Sequence, residues 1–144
     1  MPNEKTSFFV DTNLLVYVAD PANPEKRVRV RDFLTRIISS HILVLSPQSL
    51  NECYRAVTER LDLMPRNDAR RFVAAWLPYC TARYDFNVTQ GAWRIQDRFR
   101  FSWWDSMLLA SASLAGCNVF ILDRQRDEDN VVLFCHEFWA NSFL

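Results

Sequence analysis

Ser7-Phe8-Phe9-Val10-Asp11-Thr12-Asn13 is the stretch that decides the fold. Its short apolar run, without alternation, reads as a strand covered on both faces, as in a parallel sheet. The run ends abruptly in a carboxylate. Open α/β sheets bind ligands outside the carboxyl ends of their strands, so Asp11 stands where such folds do chemistry. The pattern returns late in the chain, where the apolar run Cys117–Leu122 is followed at once by Asp123.

Helical patterns fill the interval. Leu14–Ala19 reads as a short helix, with Asp11 or Asn13 available as its cap. Residues 20–24, with Pro21 and Pro24, form a break. Glu25–Ser39 is helical, with Val30, Phe33, Leu34, Ile37 and Ile38 on one face. Ile42–Leu45 is a second strand. Ser46-Pro47 opens a helix whose stripe is Leu50, Cys53, Tyr54, Val57 and Leu61. A turn at Pro65 and Asn67 leads into a helix over Asp68–Leu77, stopped by Pro78. Tyr79–Phe86 reads as a short strand. Asn87, with Gln90 three residues on, caps a helix running to Phe99. Ser102 caps another over Trp103–Ala115, closed by Gly116 at the C′ position. A charged loop over 124–130 precedes a last strand, Val131–Cys135. Strands separated by helices imply parallel pairing through helical crossovers, an α/β fold. With 144 residues and no linker or repeat, a single domain over 1–144 is expected.

Composition narrows the function. The formal net charge is zero, which argues against nucleic-acid binding through overall basicity. Of the 17 basic residues only Lys5 and Lys26 are lysines; the rest are Arg, suited to bidentate contacts with phosphate and carboxylate. Two glycines, Gly91 and Gly116, are too few for a P-loop or a dinucleotide fingerprint, so no nucleotide cofactor is expected. Cys53, Cys80, Cys117 and Cys135 form no C-x-x-C pair and match no zinc spacing. Without a secretory or membrane-spanning apolar segment, free thiols in the cytoplasm and no membrane association are the expectation.

Four acids carry the candidate chemistry: Asp11, Glu52, Asp105 and Asp123. Each has a plain alternative. Asp11 could cap the following helix. Glu52, three residues after Ser49, fits a capping box. Asp105, three after Ser102, fits an acid at a helix start. Asp123 could be a turn residue. Together they point elsewhere. Two end strands that a parallel sheet sets side by side, and two stand in first helical turns near the same edge. Crowded carboxylates repel one another unless a counter-charge is present. A hard divalent ion, Mg²⁺ or Mn²⁺, supplies it through oxygen ligands. Such an ion would support hydrolysis of a phosphodiester. His41 and His136, the two histidines, lie in no nucleophile motif.

The residues resemble those of a PIN domain, and in size the chain is similar to the toxin of a VapBC-type toxin–antitoxin pair. The matching segments are Phe8–Asn13, Ser49–Glu52, Ser102–Ala110 and Phe120–Gln125; Asn141-Ser142-Phe143 is similar to the Asn-Pro-Phe that often closes these toxins, without its Pro. The resemblance implies a three-layer α/β/α fold with a central, mostly parallel sheet of four to five strands. It implies a metal-dependent endoribonuclease acting on RNA, with Asp11, Glu52 and Asp105 as the acidic triad. The fourth acid would be Asp123, or Asp127 or Asp129 in the loop beyond; Ile121 stands where the family often has Ser or Thr. Asn13 and Ser106 would support the pocket. A cognate antitoxin and a homodimer are the implied partners. A non-catalytic binding or assembly module, and an RNA-maturation nuclease outside any toxin system, are the competing readings.

An acidic pocket needs basic neighbours to hold a polyanion, and Arg98, Arg100 and Arg124 flank Asp105 and Asp123 in sequence. Removing these three charges is expected to weaken RNA binding and cleavage; a triple Ala variant that matches wild type in both assays refutes their role.

Overall fold

The computed structural model describes residues 5–123 and 130–134. Four strands form one sheet: β1 (Ser7–Val10), β2 (Ile42–Val44), β3 (Val119–Asp123) and β4 (Asn130–Phe134), in the order β2-β1-β3-β4. β1 pairs parallel with both neighbours, Phe9 lying opposite Val44 on one side and Phe120 on the other. β4 pairs antiparallel with β3. The expected α/β architecture with a mostly parallel sheet is present, at the lower of the two anticipated strand counts.

Alternation along the strands sorts the core into two halves. Val10, Leu43, Val119 and Ile121 point to one face. They pack against α1 (Thr12–Ala19), α2 (Pro24–Ser40), α3 (Pro47–Arg55) and α4 (Arg66–Ala74) through Leu14, Leu34, Leu50 and Ala69. Phe9, Val44, Phe120 and Leu122 point to the other. There they meet α5 (Phe86–Arg98) and α6 (Trp103–Leu114) through Val88, Ile95, Leu108 and Ala112. Helix layers therefore cover both faces, which is why the strands read as continuous apolar runs.

The helix ends follow local chemistry. Asn23 caps α2, accepting from the Lys26 N–H at 3.1 Å, and Pro24 begins the helix because its missing N–H is no loss there. Ser46 and Ser49 form a reciprocal capping box at α3. That helix continues into a π-helical turn, Ala56–Arg60. α6 ends in a Schellman closure at Gly116 (φ 73°), with the Gly116 N–H on Ser113 O and the Cys117 N–H on Ala112 O.

Three expectations are corrected. Tyr79–Phe86 is not a strand: Leu77–Tyr79 is a 3₁₀ turn with Pro78 inside it, and only an isolated parallel bridge joins Leu45 to Cys80. The helix expected to reach Leu77 stops at Ala74, ahead of that turn. The cap of α5 is Asp85, accepting from the Asn87 N–H at 3.0 Å, so the helix starts one residue before Asn87. Asp85 offers an ionised acceptor to the helix N-terminus. Cys135, His136 and 141–143 lie outside the described residues. His41 is structural: its Nδ1 accepts from the Thr6 N–H and its ring lies against Phe8.

Phe9 sits at the centre of the sheet, fully buried, with its ring edge-to-face on Phe120 at 5.5 Å. Phe9→Ala is expected to cost ~3–5 kcal/mol of stability, read from the urea unfolding midpoint; a cost below ~1 kcal/mol would contradict this packing.

Candidate metal-binding acidic site

The strand order 2-1-3 makes the crevice between β1 and β3 the switch point, where the connections leave in opposite directions. The Asp11 N–H extends the ladder by bonding Ile121 O at 2.8 Å. Asp11 and Asp123 are thereby set at one edge, and the Asp123 N–H donates to Asp11 Oδ2 at 3.3 Å. Asp11 occupies the N-cap position of α1, yet its carboxylate caps nothing. Both acids are buried.

Glu52 reaches the same place from α3. Its Oε2 accepts from Thr12 Oγ1 at 3.1 Å, and its Oε1 from Gln48 Nε2 at 2.8 Å. The capping-box alternative for Glu52 fails, because Ser46 and Ser49 perform that task. Gln48 Nε2 also lies 3.2 Å from the Trp104 carbonyl, so one buried amide ties Glu52 to the first turn of α6. Asp105 stands in that turn, its N–H on the Ser102 cap at 3.1 Å.

Electrostatics show the convergence. The Asp11 carboxyl is pushed up from 3.8 to about 7, first by burial and then by the charge of Asp105, with Asp123 and Glu52 adding to it; the Asp123 N–H opposes the shift. All three other acids thus act on Asp11. Among the described residues, however, no three His, Cys, Asp or Glu side chains stand close enough as oriented to enclose a metal ion. By donor chemistry the set fits a hard cation, being all oxygen and short of positive charge.

Two residues missed in the sequence complete the site. Tyr17 Oη donates to Asp123 Oδ2 at 2.5 Å, and Lys26 Nζ lies 3.7 Å from the same oxygen. Burial and then the bond to Asp123 raise the Tyr17 pKa. Gln48 and Thr12 were also missed as partners of Glu52. The spacing of Gln48 four residues before Glu52 was a usable signal; nothing local pointed to Lys26. Asn13 is half-buried and lines a cleft of about 260 Å³ with Val16, Tyr17, Asp20, Arg60 and Leu61. Ser106 is buried and its hydroxyl donates to the Ser102 carbonyl at 2.8 Å, a bond within its own helix. Arg98 and Arg100 are exposed. Arg124, Asp127 and Asp129 lie outside the described residues.

The fold and crevice define an open α/β sheet with an acidic pocket at its switch point. The family described as PIN domain matches residues 8–128, and the chain belongs to that family. No curated protein matches it. Among solved structures it is similar to Mycobacterium tuberculosis VapC20, described as a sarcin–ricin loop cleaving toxin. That match has a TM-score of 0.61 and 17% identity, over 95% of this chain and 96% of that one. It is also similar to VapBC2 from Rickettsia felis, described as bound to a DNA fragment from their promoter. There the TM-score is 0.58 and the identity 11%, over 78% and 84% of the two chains. At these identities the likeness is one of fold.

The raised Asp11 pKa has a defined sign. Between about pH 4 and 7 the folded state keeps a proton that the unfolded chain releases, so stability falls as pH rises through this window. With chelator present, Asp11→Asn is expected to exceed wild type in stability by ~1–4 kcal/mol at pH 8. The gap should close toward pH 4, as followed by urea unfolding; a pH-independent difference would contradict the crowding.

Proposed function

We propose that the protein is a metal-dependent endoribonuclease, the toxin of a toxin–antitoxin pair, built as a single PIN domain over 1–144. The observation that carries this reading is the pair of buried carboxylates, Asp11 and Asp123, set together at the β1–β3 crevice by the strand ladder, with burial and the neighbouring acids raising the Asp11 pKa. A pocket of that kind calls for a cation. Asp11, Glu52 and Asp105 would hold Mg²⁺ or Mn²⁺, with Asp123 as the fourth acid. A divalent ion held there would supply Lewis acidity toward a phosphoryl oxygen and lower the pKa of a bound water.

The chain's own residues supply the rest. Thr12 and Gln48 orient Glu52, while the capped start of α6 presents Asp105. Among the described residues no three acids stand close enough as oriented to enclose an ion, so Asp11, Glu52 and Asp105 would have to turn inward to hold one. Exposed Arg98 and Arg100 would hold RNA phosphates. The likeness to VapC20 and VapBC2 supports an RNA target and a cognate antitoxin. The exposed pair Phe86 and Trp93, edge-to-face at 5.7 Å, supports a protein interface such as a homodimer. Among the described residues no helix is long and apolar enough to cross a membrane; a cytoplasmic site of action is part of the proposal. That no ligand set is assembled among the described residues favours one second reading, a non-catalytic PIN module that works by binding its antitoxin.

Total cellular RNA incubated with the protein separates the two. Cleavage is expected with Mg²⁺ or Mn²⁺, and its loss is expected with chelator or with Asp11→Asn. Activity that survives both treatments rejects the mechanism; folded protein without activity under any metal favours the second reading.

A further inference from the structure

Lys26 is out of place by composition and by position. It is one of two lysines among 17 basic residues. It lies in the first turn of α2, where a positive charge opposes the helix dipole. Its N–H is fixed by the Asn23 cap at 3.1 Å. From there its ammonium lies 3.9 Å from the centroid of the Tyr17 ring and 3.7 Å from Asp123 Oδ2. The Tyr17 hydroxyl donates to that same oxygen at 2.5 Å. Two helices, α1 and α2, thus each deliver one group to a single oxygen of a carboxylate that is 4% exposed.

We infer that Lys26 is the resident counter-ion of Asp123 and that, with Tyr17, it limits the pocket to one divalent ion, held on the side of Asp11, Glu52 and Asp105. The inference rests on the metal reading proposed above and settles a question that reading leaves open, one ion or two. Four carboxylates could balance two divalent ions. Here the ammonium already offsets one of them. A second ion at Asp123 would face Lys26 across one buried carboxylate, where repulsion is screened less than in bulk water. It would also have a single oxygen of Asp123 to bind, since Oδ2 is engaged by two donors. Lys suits the task better than Arg: a compact point charge that sits over an aromatic ring and touches one oxygen. The ring of Tyr17 and the charge of Asp123 together offset the unfavourable helix position. The consequence for the chemistry is that Asp123 shapes the pocket's charge while the other three acids hold the ion.

Counting bound Mn²⁺ on the full chain, by the loss of the free-ion electron paramagnetic resonance signal, tests this directly. Wild type is expected to bind one ion per chain, and Asp11→Asn to bind none. Lys26→Met, at a side chain 31% exposed, is expected to raise the count to two, while Lys26→Arg keeps it at one. If Lys26→Met does not fold, Lys26→Gln takes its place. A wild-type count of two, or a count still at one after neutralising Lys26, overturns the inference and leaves the metal reading standing. A wild-type count of zero overturns both.

Discussion

The parallel pairing of β1 with β3 is the constraint on which the site depends. The Asp11 N–H on Ile121 O continues that ladder one residue past β1, and the Asp123 N–H then meets the Asp11 carboxylate. Two acids far apart in sequence are held together by backbone hydrogen bonds, and no side-chain attraction is needed to bring them there. The pairing is itself held by burial: Phe9 and Phe120 pack on one face, Val10 and Ile121 on the other. Both faces of the sheet must be covered for those strands to be stable, and the covering helices are the ones that carry Glu52 and Asp105.

The pocket handles its negative charges unequally. Glu52 is satisfied by neutral donors, Thr12 and Gln48. Asp123 is matched by a phenol and an ammonium. Asp11 accepts a backbone N–H and otherwise faces three acids, so the shortage of positive charge concentrates on its carboxyl. Burying a carboxylate without a counter-charge is costly, and the group responds by holding its proton. The cost is carried by the stability of the folded protein, which falls as pH rises toward 7.

Much of this was legible in the chain. The strand at Ser7–Val10, the capped helix at Ser102 and the Gly116 closure were readable because each is governed by residues within a few positions: apolar continuity, a hydroxyl before a helix, a glycine after one. The elements misread were those decided by competition. Asp85 outcompetes Asn87 as a cap two residues away, and Pro78 sits inside a 3₁₀ turn instead of ending a helix. Tyr79–Phe86 contains strand formers, but it touches the sheet only through the isolated bridge of Cys80 to Leu45, one residue past β2.

The sequence by itself determined the class of fold and the family, and it singled out four candidate acids, since these rest on patterns of residue type and spacing along the chain. Tertiary structure alone decided how those acids are partnered. That Lys26 and Tyr17 attend Asp123 while Gln48 links Glu52 to α6 depends on which helix crosses which strand, and on where each side chain lands after the crossing. Separations of 106 residues for Tyr17 and Asp123, and 56 for Gln48 and Trp104, carry no local signal. They become contacts because two layers of helices must close over one sheet.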